Sequence, residues 1–287
     1  MVEQQDIYEQ NYNQMLRPMV RIRAAAVGGS GTVLYSQKDQ KGRFSTYILT
    51  NQHVVNGLIT VEKKWSSLLG RDIKKDIFGI PEIHFFEYEW ESRVIGARAI
   101  EADIMTYDKD EDLALLKLRA GFEAPAVAKM YPREEEYKLR LTMPVYALGS
   151  GLGENPVVTG GFLSSFNREI DNKEYYLQTA PTIFGNSGGA VFLAATREFI
   201  GVPARIAVVM RGFGTDAITH LSYCIPITRI YKFLEDQLFR FIYDSNYTEE
   251  EEAIRRDRKR RDEELKIAAK EGRGEEPEEE EPKEEEG

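Results

Sequence analysis

Between Val20 and Ile227 the chain is built from short apolar or alternating runs separated by glycine and polar turns. The runs that read as strands are Val20–Val27, Gly31–Tyr35, Thr46–Thr50, Ile83–Tyr88, Val94–Tyr107, Asp112–Leu118, Pro144–Leu148, Val157–Phe166, Tyr175–Thr179, Gly189–Ala194, Ile200–Met210 and Leu221–Ile227. Many short strands with turn residues between them predict an all-β sandwich or barrel. The charged run Glu134–Arg140 precedes a new set of strands and predicts a connector between two β-halves.

The two ends follow other patterns. Residues 1–17 are polar and predict an arm or a short helix. In Thr228–Tyr243, Ile230, Phe233, Leu234, Leu238 and Phe241 recur at helical spacing, which predicts an amphipathic helix packed on the body. Glu249–Lys270 holds eight acids and eight bases. Its acid-before-base pairs four apart, Glu251 with Arg255, Glu252 with Arg256, Asp257 with Arg261 and Asp262 with Lys266, predict a solvated, ion-paired helix. Residues 271–287 are rich in Glu, Pro and Gly, a composition that predicts disorder.

Charge sharpens this picture. The net charge is −10, but residues 271–287 contain ten Glu against Arg273 and Lys283, so the preceding 270 residues carry only −2. A near-neutral body argues against nucleic acid as a partner. The one cysteine, Cys224, cannot form an intramolecular disulfide and falls in an apolar strand, where a buried hydrophobe is expected. No signal peptide is legible in residues 1–14, and no apolar run is long enough to span a bilayer. These features together predict a cytoplasmic protein without a membrane partner. Three histidines and one cysteine are too few for a metal site, so no metal and no organic cofactor is expected.

Three stretches carry chemistry. Tyr47–Thr50 is an apolar strand that runs through Asn51-Gln52 to His53. Asp112 opens the strand Leu113–Leu118, after an acidic loop in which Asp103, Asp108 and Asp110 compete with it. Gly185-Asn186-Ser187-Gly188-Gly189 is a turn whose glycines let backbone N–H groups face a ligand oxygen. A serine hydroxyl needs a base to take its proton, and an imidazole that ionises near neutrality supplies one. A carboxylate orients that imidazole. The order His53, Asp112, Ser187 is that of chymotrypsin-like proteases. The N–H groups of the turn Gly185, Asn186, Ser187, those of Gly185 and Ser187 above all, are the expected oxyanion donors.

The ordered set Gly29-Ser30-Gly31-Thr32, Ile48–Val55, Asp112–Leu118, Gly185–Gly189 and Ile225-Pro226-Ile227 resembles trypsin-like serine peptidases of the HtrA/Deg type, over about residues 20–235. The resemblance implies two six-stranded β-barrels with a catalytic cleft between them, His53 and Asp112 on the first and Ser187 on the second. It implies a serine endopeptidase acting on protein or peptide substrates. It also implies a primary pocket with Pro181 and Thr182 at its floor, Ile183 and Phe184 beside them, and Val202, Pro203, Ala204, Arg205, Ser222 and Tyr223 as walls. No acid lies in Ala180–Phe184, so cleavage after Lys or Arg is disfavoured, and the resemblance to the HtrA type implies cleavage after small or medium apolar residues. By analogy with the family, residues 1–20 could hold a homo-trimer.

Two departures stand out: the approach Gln178–Gly185 is about one residue shorter than the family's usual form, and a helix and acidic tail stand where a peptide-binding PDZ domain is usual. Residues 57–100 form a long stretch with room for an extra helix or hairpin. The resulting organisation is an arm over 1–19, a protease domain over 20–243 (barrels at about 20–130 and 135–227, helix 228–243), a charged helical extension over 244–270 and an acidic tail over 271–287. The rival reading is a non-catalytic barrel that binds a peptide or partner in the same cleft.

Overall fold

The computed structural model of the chain describes residues 2–25, 27–66, 70–211 and 214–271. The acidic tail after Glu271 lies outside them. The chain divides into two units, residues 1–60 with 76–237, and residues 61–75 with 238–287.

The larger unit contains two closed antiparallel barrels. The first orders its strands β1 (Met19–Ala24), β2 (Val27–Lys38), β3 (Phe44–Thr50), β8 (Leu113–Leu118), β7 (Arg93–Asp108) and β6 (Glu82–Glu89). The second orders β10 (Val157–Ile170), β11 (Lys173–Gln178), β14 (Gly214–Pro226), β13 (Phe199–Arg211), β12 (Ala190–Leu193) and β9 (Pro144–Gly149). This is the double barrel that the family resemblance implies, within the all-β class that the spacing of runs predicts. The long stretch after His53 supplies a hairpin rather than a helix: β4 (Ile59–Ser66) and β5 (Arg71–Phe78) pair as a separate two-stranded sheet. Helix α1 spans Val2–Asn11, and a π-helical turn, Tyr12–Leu16, leads into β1.

Period-2 patterning fills the first barrel. Val20, Ile22 and Ala24 of β1, Ile83 and Phe85 of β6, Ala102 and Ile104 of β7, and Ala114, Leu116 and Leu118 of β8 form one buried cluster. The intervening Tyr47, Leu49, Leu113 and Leu115 are buried too, so β3 and β8 read as continuous apolar runs. In the second barrel Val145, Ala147, Leu163, Tyr175, Leu177 and all of β12 are buried, with Phe192 edge-on to Phe199 at 6.0 Å.

Strand register decides what meets at the barrel ends. Thr50 pairs with Ala114 across β3 and β8, so the residues after β3 lie beside those before β8. Ala190 pairs with Leu148, which sets the turn before β12 beside the end of β9.

The predicted helix over 228–243 is shorter. Helix α3 spans Ile227–Asp236 and stops where Leu238 takes a positive φ of 59°, a conformation that cannot continue a right-handed helix. In the smaller unit, α4 (Glu249–Glu271) opens with a reciprocal capping box: Glu251 N–H donates to Thr248 Oγ1 (3.3 Å), and Thr248 N–H to Glu251 Oε2 (3.2 Å). Its charged face is not wholly solvated. Glu252 is fully buried and accepts from Arg240 at 2.8 Å, with Arg255 at 3.3 Å, while the Arg256 guanidinium stacks on Phe239 at 3.9 Å.

Burial alone would raise the Glu252 pKa; hydrogen bonds and charge from Arg240, with Arg255, outweigh it and hold the carboxyl below its usual range. A depressed carboxylate contributes stability above its unfolded pKa, near 4.3, and that contribution is lost as pH falls below it. Replacing Arg240 by Met removes the guanidinium and leaves the buried charge with the backbone N–H of position 240 at 3.1 Å and Arg255 at 3.3 Å. The expected cost is about 2–3 kcal/mol at neutral pH, shrinking toward zero in acid. Hydrogen exchange of the α4 amides in full-length R240M and wild type, at neutral and acidic pH, checks this.

Candidate active site

His53 sits on the short helix α2 (Gln52–Val55) that follows β3. Its Nδ1 lies 2.9 Å from Asp112 Oδ2 and 3.0 Å from Oδ1, and its backbone N–H donates to Oδ1 at 3.0 Å. One carboxylate therefore orients the imidazole and caps the helix that carries it. Asp112 is the residue before β8 and takes φ 52°, a left-handed conformation that Asp tolerates better than most residues. The competing acids are used elsewhere. Asp103 pairs with Arg119 at 2.8 Å and Asp108 Oδ1 accepts Glu111 N–H at 2.8 Å within the turn, while Asp110 meets Lys173 Nζ through its backbone carbonyl rather than its carboxylate. The second barrel and its helix grip this acidic loop, because Arg229 of α3 also donates to Glu111 Oε2 at 2.6 Å.

Ser187 lies in the turn between β11 and β12. Its carbonyl accepts Ser30 N–H at 2.9 Å, and the Gly185 carbonyl accepts Ser30 Oγ–H at 2.7 Å. Ser30 Oγ in turn accepts Ser150 N–H at 2.7 Å. The Phe184 carbonyl accepts Leu152 N–H at 2.7 Å. A trans peptide sets its N–H opposite its C=O, so this bond aims Gly185 N–H away from Leu152. Among the described residues neither Gly185 N–H nor Ser187 N–H donates to a protein acceptor. Asn186, read from sequence as a third member of the oxyanion turn, differs: its N–H is spent on the Ile183 carbonyl at 3.0 Å, which closes the turn. The one-residue-shorter approach thus folds into a turn with two uncommitted amides.

His53 and Ser187 line one cavity of about 390 Å³ with Thr182, Ile183, Phe184, Asn186, Pro203, Ala204, Arg205, Ile206, Val208 and Ser222. Ser187 Oγ forms no hydrogen bond with His53 or with another protein group among the described residues. Three expected pocket residues fall outside the lining. Pro181 is exposed; Val202 is fully buried in β13, whose next three residues form the wall instead; and Tyr223 packs edge-on against Tyr175 at 6.5 Å. Ile206 and Val208 take their places, as the next residues of the same strand. Arg205 holds Asp171 at 2.7 Å and lies over the Tyr175 ring. Cys224 is buried in β14, and burial pushes its thiol up to about 12, so it offers no thiolate.

Sequence reasoning assigned no role to Ser30 or Asn51. Both are fully buried, and both bond across more than a hundred residues of chain. The available signals were a serine between glycines in Gly29-Ser30-Gly31 and an Asn two residues before His53. Gly188 shows how tight the junction is. It takes φ 80°, and a Cβ there would lie 2.2 Å from Thr50 Oγ1 and 2.3 Å from the Ser30 carbonyl. Gly188→Ala is therefore expected to lower the unfolding free energy by about 3 kcal/mol or more, measured by urea titration.

The trypsin-like peptidase domain model matches residues 29–202. A probable periplasmic serine endoprotease, DegP-like, of Ectopseudomonas mendocina is 29% identical over 226 residues, covering 77% of this chain and 38% of that protein. Its namesake in Hahella chejuensis is 29% identical over 184 residues, covering 63% and 31%. The chain thus spans about a third of the length of these curated relatives. Among solved structures, an HtrA-type protease, AlgWS227A with tripeptide, superposes with a TM-score of 0.55 at 19% identity, covering 81% of this chain and 63% of that one. The relatives are named periplasmic, which overturns the cytoplasmic location expected from sequence. One cysteine forms no intramolecular disulfide in either compartment, so its count never discriminated between them. With the model matching more than half of its length, and DegP-like serine endoproteases as its relatives, the chain belongs to the trypsin-like peptidase domain family.

Proposed function

We propose that the chain is a serine endopeptidase in which Ser187 is the nucleophile, His53 the general base and acid, and Asp112 the group that orients His53. The observation that carries this reading is that His53, held by Asp112, lines the same cavity as Ser187, beside the uncommitted amides of Gly185 and Ser187. In this reading Ser187 Oγ attacks the scissile carbonyl while His53 Nε2 takes its proton. The imidazolium, stabilised through Nδ1–H by Asp112, returns the proton to the leaving amine. Gly185 N–H and Ser187 N–H meet the oxyanion; one such donor is worth about 3 kcal/mol of transition-state stabilisation. Water then attacks the acyl-enzyme by the same path in reverse. By the names of the relatives, the compartment is the periplasm.

For the pocket we propose cleavage after small or medium apolar residues. Ile183, Phe184, Pro203, Ala204 and Val208 supply apolar lining, and no carboxylate lines the cavity among the described residues. A Lys or Arg side chain would enter unpaired and beside Arg205. The second reading, a non-catalytic barrel that binds peptide, is favoured by one observation: Ser187 Oγ and His53 are not hydrogen-bonded.

A fluorophosphonate probe separates the two readings. Labelling at Ser187, with casein cleavage lost in Ser187→Ala while the far-UV spectrum is unchanged, supports the peptidase; an unlabelled wild type supports the binding module. A peptide library is expected to show dominant cleavage after residues such as Ala or Val, and dominant cleavage after Arg would overturn the pocket assignment.

A further inference from the structure

Asn51 occupies the N-terminal cap of α2, with φ −76° and ψ 150°, a position where an Asn side chain ordinarily accepts an amide of its own helix. It makes no such bond. The Asp112 carboxylate takes over that task through His53 N–H. The Asn51 amide reaches in two other directions. Its Nδ2 donates to the Asp112 backbone carbonyl at 2.8 Å, and its Oδ1 accepts Gly188 N–H at 2.6 Å. The side chain is fully buried, and the Gly188 amide has one other, longer contact, to the Pro203 carbonyl at 3.3 Å.

We propose that Asn51 is a positioning residue that couples the acid to the nucleophile turn; this rests on the serine-peptidase reading of His53, Asp112 and Ser187. One planar amide spans the residue that orients the base and the residue immediately after the nucleophile, and it is continuous in sequence with the base itself. It holds the left-handed backbone of Asp112 by its carbonyl and fixes the turn by the amide next to Ser187. Both Asn functions are required, because the Asp112 carbonyl needs a donor and the Gly188 amide needs an acceptor. Asp at this position keeps the acceptor but sets an anionic oxygen against the Asp112 carbonyl. Ala loses both.

The test uses the full chain as wild type, Asn51→Ala, Asn51→Asp, Asp112→Ala and the Asn51→Ala/Asp112→Ala double variant. The measurements are kcat and KM on a chromogenic peptide and the rate of fluorophosphonate labelling. In N51A, kcat and labelling are expected to fall about tenfold or more with KM within about twofold, and N51D is expected to fall in the same direction. In the D112A background the factor lost on removing Asn51 is expected to be at least about threefold smaller, the signature of groups that act as one unit. An equal factor in both backgrounds indicates a merely structural residue and overturns the inference, as does N51A with wild-type kcat. If N51A does not fold, the isosteric N51D carries the same criteria, alone and combined with D112A. A wild type that is not labelled overturns the proposed function itself, whereas a labelled wild type with indifferent Asn51 variants overturns this inference alone.

Discussion

Three hydrogen bonds hold the Ser187 turn of the second barrel onto the first: Ser30 N–H to the Ser187 carbonyl, Ser30 Oγ–H to the Gly185 carbonyl, and Gly188 N–H to Asn51 Oδ1. Ser30, Asn51 and Gly188 are buried while Gly185 and Ser187 are half-buried, and a polar group of the buried three left without its partner would cost about 1–3 kcal/mol. A shift of one barrel against the other by an ångström would break all three together. The barrels are therefore held in one relation by the same contacts that shape the turn. With two carbonyls spent on Ser30 and the Phe184 carbonyl on Leu152, the amides of Gly185 and Ser187 stay without a protein acceptor among the described residues.

The acid is fastened from the opposite side. Asp112 belongs to the first barrel, but its loop is gripped by Lys173 of β11 and Arg229 of α3, both in the second half of the chain. Arg229 also stacks on Tyr175 at 4.9 Å, and Tyr175 packs on Tyr223 beside β13. Cross-links thus run both ways, from barrel one to the serine turn and from barrel two to the acid loop. This matters because the His53–Asp112 contacts tolerate only a few tenths of an ångström before a 2.9 Å hydrogen bond becomes a weak one.

Much of this was legible in the sequence, for reasons that can be named. Period-2 runs such as Val20, Ile22, Ala24 and Ala114, Leu116, Leu118 encode their own burial, so the strands and the all-β class follow from local pattern. His53 stood out just after an apolar strand, Asp112 at the opening of one, and Ser187 between glycines. Ser30 and Asn51 did not, because their roles lie in partners 155 and 137 residues away, which no local pattern records. The pocket wall was misread at its ends for a similar reason. Strand β13 carries register shifts between Pro203 and Arg205 and between Ile206 and Ala207, so simple alternation does not run from the buried Val202 to Val208 at the cavity, and no local pattern records such shifts. In α4, spacing predicted pairing along the helix, but Glu252 is turned to Arg240, a residue outside the helix and twelve positions upstream.

Ser187 Oγ, among these fastened groups, has no hydrogen-bond partner among the described residues. Its backbone is fixed on both sides by Ser30 and Gly188, and the imidazole that lines the same cavity is fixed by Asp112. The remaining freedom at the candidate nucleophile is rotation about χ1, whose staggered wells are separated by small energies. Such a rotation costs far less than displacing a loop. Free serine-type enzymes need not have this bond formed, since catalytic hydrogen bonds are often long or poorly aligned before substrate binds. The expensive parts of the arrangement, the turn, the acid loop and the paired imidazole, are already in place through contacts that do not involve substrate. The cheap part is left to the ligand, a division that makes the peptidase reading the more economical account of the geometry.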